Sequence, residues 1–233
     1  MTIAETHVAV KLGLDKTSSL ELPAFEPEEL DFWINKGISQ FIDVAYKTFE
    51  ETQSITESIK TLVEEDIFAT YSGSYGNANK ENCYTADIFD PSVYRYALGE
   101  EVNIVYLDSI SNEYKTKRQG VTEASQESYR HFLDNPFSEH RLHYDEAKPL
   151  RLFVQNYVEL ISDENYSVTD YIIRYLRNPA TVSLSGNVDC DLPSHVHHKI
   201  VDIVVSMLLE NIESSRHQEF ENKRMMLTIN KEA

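Results

Sequence analysis

The chain has 233 residues, 41% hydrophobic and 26% charged, with 39 acidic against 21 basic side chains and a formal net charge of −18. That length suits one ordinary domain, or one domain with tails, and the carboxylate surplus disfavours non-specific adhesion to nucleic acid or anionic lipid, which runs on Lys and Arg displacing counterions from phosphates. No apolar run approaches the roughly 20 residues that cross a bilayer, and the N-terminus lacks a basic-then-apolar secretory pattern, so a protein made in a cytoplasm, without a membrane partner, is expected.

Residues 1–22 show a short alternation (Val8, Val10, Leu12, Leu14) and are expected to form an extended arm. Pro27 followed by Glu28 and Glu29 opens a helix. Leu30, Ile34, Ile38, Phe41, Ala45 and Phe49 then recur at spacings of three and four, which predicts a helix over about residues 27–50. A shorter helix with Ile55, Ile59, Leu62 and Val63 on one face is expected to end at Glu64, Glu65 and Asp66. Residues 70–92 have loop composition with one irregular strand. Val102, Ile104 and Tyr106 alternate with polar residues and predict a half-buried strand over 101–107, with Tyr114 to Arg118 as hairpin partner. Thr122 can cap a helix over 123–133, ended by Asp134-Asn135-Pro136. Strand signals follow at Leu142 and Tyr144, at Leu150, Leu152 and Val154, at Tyr157 to Leu160, at Tyr171 to Leu176, and at Val182 and Leu184. A last helix, capped by Ser194, carries Val196, Ile200, Ile203, Val204, Met207, Leu208 and Ile212. The fold class is therefore α+β: a long N-terminal helix, three further helices and a mixed or antiparallel sheet. Its expected divisions are an arm over 1–22, a single domain over 23–213 and a C-terminal tail over 214–233.

Cys83 and Cys190 lie far apart and in no CxxC spacing, which argues against a disulfide framework. One cluster invites a chemical reading: Asp189, Cys190, Asp191, His195, His197 and His198. His195 and His198 share a helix face and Cys190 could complete three zinc ligands, but the spacing is weak, since structural zinc sites take four ligands in two tight pairs. Histidines at a helix start that simply face solvent or a subunit neighbour are the better explanation of the cluster. No phosphate-loop, dinucleotide, HExxH or GxSxG string occurs. No catalytic residue, cofactor or metal ligand is assigned. The basic residues cluster, with Lys115, Lys117 and Arg118 in one hairpin and Arg174 and Arg177 around another strand. Pairing with nearby acids is their ordinary role; the alternative is contact with another copy of the chain.

Several phrases in order carry a family resemblance: Leu30-Asp31-Phe32-Trp33-Ile34-Asn35-Lys36-Gly37, Asp134-Asn135-Pro136-Phe137, Tyr144-Asp145-Glu146, Tyr171 to Pro179, and Cys190 to Asp202. Over residues 23–213 the chain resembles head-to-tail connector proteins of crAss-like tailed bacteriophages. Where the family phrase often has an acid, this chain has His197, which removes a capping box with Ser194. The resemblance implies a non-enzymatic virion protein forming a ring, of twelve subunits, beneath the portal protein and around double-stranded DNA. Its partners would be itself, the portal and adjacent tail or ring proteins. A ring needs head-to-tail contacts that close on themselves, and extended termini could clasp neighbours. On this reading Glu64, Glu65, Asp66, Glu100 and Glu101 are candidate channel-lining acids. Lys115, Lys117, Arg118, Arg174, Arg177, Met225, Met226 and Leu227 are candidate subunit contacts. The competing expectations are another tail or assembly part, such as a tail-hub or packaging-accessory protein, and a metal-dependent enzyme using His195 and His198.

Overall fold

The computed structural model describes residues 1–17, 25–49, 51–74, 80, 82–87, 93–108, 111–143 and 145–211. The expected C-terminal tail, with Met225, Met226 and Leu227, lies outside them, as does Tyr144. The chain divides into two compact units, one from Met1–Leu62 and the residues after Asn178, the other from Val63–Asn178.

The first unit is helical: α1 (Ile3–Thr17), α2 (Pro27–Lys47), α3 (Gln53–Ile59) and α5 (His197–Asn211), with a 3-10 turn at Lys60–Leu62. The arm expected over 1–22 is corrected here, because residues 3–17 are a helix. Its buried face is Ile3, Thr6, His7, Val10 and Leu14, spaced as one side of a helix, whereas Val8 and Leu12 are more than half exposed. The apparent two-residue alternation mixed members of both faces. The long helix is therefore the second in the chain. It begins with Pro27 at its first turn and a reciprocal capping box, in which the Glu26 backbone N–H donates to Glu29 Oε2 at 3.0 Å and the Glu26 side chain accepts from the Glu29 backbone. Leu30, Ile34, Ile38, Ile42 and Ala45 are buried along it.

Both α1 and α2 pack against α5, and a glycine marks each close approach. A Cβ at Gly13 would lie 2.7 Å from Val205 Cγ2, and one at Gly37 would lie 2.5 Å from Val204 Cγ2. Polar groups stitch the same unit. Buried Asp31 accepts from His7 Nε2 at 2.7 Å and from the Leu184 N–H at 3.0 Å. The Asn35 amide donates to the Val182 carbonyl at 2.9 Å and its oxygen accepts from the Val182 N–H at 2.9 Å. The strand expected at Val182 and Leu184 is corrected for this reason: their backbone is satisfied by side chains of α2, leaving only an isolated bridge between Ser183 and Val188. Ser194 is likewise not a cap. It opens a 3-10 turn, Ser194–Val196, whose N-cap is Pro193 without a side-chain hydrogen bond.

Among the described residues, the second unit holds two sheets and one short α-helix. Its strands are β1 (Val63–Ala69), β2 (Tyr71–Ser72), β3 (Cys83–Asp87), β4 (Tyr94–Leu107), β5 (Tyr114–Gly120), β6 (Thr122–Glu123), β7 (Leu150–Val154), β8 (Tyr157–Ile161) and β9 (Tyr166–Arg177). The first sheet is antiparallel with order β1-β9-β4-β5; the second is mixed with order β2-β3-β8-β7-β6, its β6–β7 pair parallel. Glu64, Glu65 and Asp66 do not end a helix but lie in β1, paired with Tyr175, Arg174 and Ile173 of β9. Thr122 does not cap a helix either: its N–H donates to the Pro149 carbonyl at 2.9 Å, and α4 (Tyr129–Asp134) begins later. Leu142 follows a 3-10 turn, Glu139–Arg141, instead of entering a strand.

The sheets share a core of Val102, Ile104, Tyr166, Val168, Tyr171, Ile173 and Tyr175 from the first with Ala86, Val158 and Leu160 from the second. On its other face the second sheet presents Cys83, Leu150, Leu152 and Ile161 to Tyr129, Phe132 and Leu133 of α4. The β unit is thus three layers, sheet, sheet and helix.

Candidate functional site

Strand alternation decides where each charge of the first sheet points. In β1 and β4 the residues Glu64, Asp66 and Glu100 share the core-facing parity of Phe68, Val102 and Ile104, while Glu65 and Glu101 take the other face. On that outer face one charged residue from every strand meets its neighbour in the order acid, base, acid, base. Arg174 Nε of β9 lies 2.6 Å from Glu65 Oε2 of β1, and its Nη2 lies 3.4 Å from Glu101 Oε2 of β4. Arg118 of β5 contacts Glu101 and reaches Glu65 at 3.9 Å. Glu65 lies directly opposite Arg174, while Glu101 and Arg118 are diagonal partners, within reach of long side chains. The guanidinium of Arg174 holds the Glu65 carboxyl below the ordinary range. All four side chains keep between 37% and 52% of their surface exposed, so the ladder is half-wet and electrically neutral.

The remaining candidates are also engaged within the chain. Arg177 Nε lies 3.0 Å from Glu64 Oε1. The Tyr175 hydroxyl donates to Asp66 Oδ2 at 2.7 Å, with Glu64 Oε2 at 3.3 Å, and burial, reinforced by that Asp66 carboxylate, pushes the phenol up. Lys115 pairs with Asp108, and Lys117 donates to the Asp145 carbonyl at 2.9 Å. Glu100 turns inward. Its side chain is 6% exposed and grips Arg151 of β7, itself 8% exposed, through two contacts of 2.6 Å, while the Tyr171 hydroxyl donates to Glu100 at 2.8 Å. A carboxylate held there cannot line a channel, so that expectation is withdrawn for Glu100. Arg151 was not singled out in the sequence because, flanked by Leu150 and Leu152, it reads as the solvent side of a half-buried strand. The same is true of Glu159, 1% exposed and capped by Lys80.

The histidine cluster is dispersed into backbone contacts. His197 donates from Nε2 to the Leu192 carbonyl at 2.8 Å and accepts at Nδ1 from the α-amino group of Met1 at 2.9 Å; burial pulls its pKa down. Asp189 accepts from the Ile3 N–H at 2.6 Å, at the positive end of α1, and Asp191 accepts from the Ala180 N–H at 3.0 Å. His195 Nε2 sits 3.4 Å from the Ser58 hydroxyl. Among the described residues no group of three His, Cys, Asp or Glu side chains is placed to hold a metal ion, and no helix is long and apolar enough to cross a membrane.

What the arrangement offers is two compact units in which the candidate bases of the first sheet are committed to acids of the same chain, while the carboxylate surplus remains. A family model described as phage tail ring protein 3/4 matches residues 39–219, a span that takes in the whole β unit and most of the described helical one. Among curated proteins nothing matches. The match covers more than three quarters of the chain, which belongs to the phage tail ring protein 3/4 family of crAss-like phages, structural proteins of the virion.

Proposed function

We propose that this chain builds a closed ring of twelve copies, stacked beneath the portal at the junction of capsid and tail and surrounding double-stranded DNA, with no catalytic step. The family match over 39–219 carries this reading. The net charge of −18 supports it, because a negative wall repels phosphates and lets a genome slide past. Since Glu65 and Glu101 lie in a neutral ladder and Glu100 is turned inward, that repulsion belongs to the charge of the whole chain and not to those three acids. Ring closure asks for rigid faces meeting head to tail, and a sheet tied across all four strands by ion pairs supplies one.

Electron microscopy of the purified chain, alone and mixed with its portal protein, tests the proposal. Closed rings with twelvefold symmetry that co-sediment with portal are expected. A chain that stays monomeric at every salt concentration and never associates with portal would refute it.

A further inference from the structure

Where α2 begins and α5 ends, the helical unit has an open groove lined by Phe25, Glu28, Glu29, Phe32, Trp33 and Asn211. Its floor is aromatic. The Phe32 side chain is 62% exposed and stands edge-on to Trp33, with ring centroids 5.7 Å apart and an interplanar angle of 80°. An aromatic ring left as open as Phe32 is surface that a partner normally covers; Trp33 beside it is half-buried, with Lys36 Nζ 4.6 Å from its ring centroid. Its acids differ in role. Glu29 is held by the capping box of α2, which leaves Glu28 as the carboxylate available to an incoming cation.

Asn211, the last described residue, itself lines this groove, and 22 residues follow it in the sequence. Their charge is distinctive. Residues 212–233 hold four acids (Glu213, Glu219, Glu221, Glu232) and four bases (Arg216, Lys223, Arg224, Lys231), so the whole net charge of −18 sits in residues 1–211. Within them, Lys223-Arg224-Met225-Met226-Leu227 joins two cations to three apolar side chains, with Phe220 just before. Methionines adapt their shape to irregular apolar surfaces, and paired cations complement an acidic rim.

We propose that the segment Phe220–Leu227 of the same chain docks in this groove, with its methionines and Leu227 on Phe32 and Trp33 and its cations toward Glu28. Eleven residues separate Asn211 from Lys223, ample to turn back, and a tether that short holds the segment at millimolar effective concentration, well ahead of any copy from solution. Docking within the chain goes beyond ring membership and does not depend on it.

Trp33 is the only tryptophan in the sequence, so its fluorescence reads this groove alone. In the full chain, two tail variants are compared with wild type: Lys223→Glu/Arg224→Glu and Met225→Ser/Met226→Ser/Leu227→Ser. Each should shift Trp33 emission to the red and raise its acrylamide quenching constant about two-fold, with unchanged far-UV circular dichroism and Tm. Adding Glu28→Lys to the charge-reversed tail should lower quenching again. Carbodiimide treatment of wild type should join Glu28 to Lys223 within single chains at every protein concentration. Quenching unaltered in both tail variants overturns the proposal, and so does a cross-link found only between two chains, which would assign the segment to a neighbour.

Discussion

A guanidinium sealed between two sheets must find its counter-charge inside the protein, because removing either ion from water costs several kcal/mol. Arg151 does so through a bidentate contact with Glu100, whose carboxylate also accepts from Tyr171. Replacing Arg151 by Met leaves Glu100 buried and unpaired and should cost about 3–5 kcal/mol of stability in urea denaturation. Removing the polar partners together, in Glu100→Met/Arg151→Met/Tyr171→Phe, should recover most of that loss. Burial, with Glu159 nearby, pushes the Cys83 thiol up to about 12, so Cys83 should react with a disulfide reagent near neutral pH only as fast as the β unit opens. His197 gives a pH dependence. Burial depresses its pKa, so the fold favours the neutral ring; that contribution is complete above the ordinary imidazole range and is lost as pH falls through it toward the depressed value. The urea midpoint should therefore drop between about pH 7.5 and pH 5.5, and drop less in His197→Gln. At this scale the sequence was partly legible. The clustering of Lys115, Lys117, Arg118, Arg174 and Arg177 anticipated pairing with acids, whereas Arg151 and Glu159 escaped notice because one charge between apolar neighbours looks solvent-facing until the layers above and below the sheet are known.

Helix contacts in the first unit depend on how closely backbones approach. In an exposed helix, Gly→Ala gains roughly 0.5–1 kcal/mol through reduced backbone entropy. At Gly37 the new methyl would fall 2.5 Å from Val204 Cγ2, and overpacking of that kind costs about 1–3 kcal/mol. Gly37→Ala should accordingly destabilise, and Gly37→Ala/Val204→Ala should be less destabilised than the sum of the single changes, with a coupling of roughly 1 kcal/mol or more across the four-variant urea cycle. Elements with a strong local period were legible: α2, α5, the β4–β5 hairpin, β7, β8 and β9 all lie where apolar spacing predicted them. The failures have a common cause. The buried face of α1 is diluted by Thr6, whose hydroxyl donates to the Thr2 carbonyl, and by His7, which is satisfied by the distant Asp31. The acidic run of β1 is tolerable in a strand only because β9 sets Arg174, Tyr175 and Arg177 beside it. Neither partner is near in sequence, so local propensity pointed elsewhere.

At the scale of the assembly, the proposed ring must close against its own field. Twelve copies of −18 carry −216 before counterions. Sequence charge made that burden legible, although it could not say which acids are neutralised, because the ladder of Glu65, Arg174, Glu101 and Arg118 joins strands from four separate stretches of chain. The burden predicts how assembly responds to salt. Near 0.01 M ionic strength the Debye length is about 30 Å, so subunits repel over distances comparable to their own size; near 0.15 M it is about 8 Å and only charges at the interface are felt. If apolar and shape contacts close the ring, the ring fraction measured by sedimentation velocity or native mass spectrometry should rise steeply from about 0.01 M to about 0.15 M salt and then level off. A ring held by exposed ion pairs between subunits would do the reverse and dissolve over the same interval. The internal pairing of Lys115, Lys117, Arg118, Arg174 and Arg177 favours the first behaviour, since bases already committed within the chain have little attraction left to offer a neighbour.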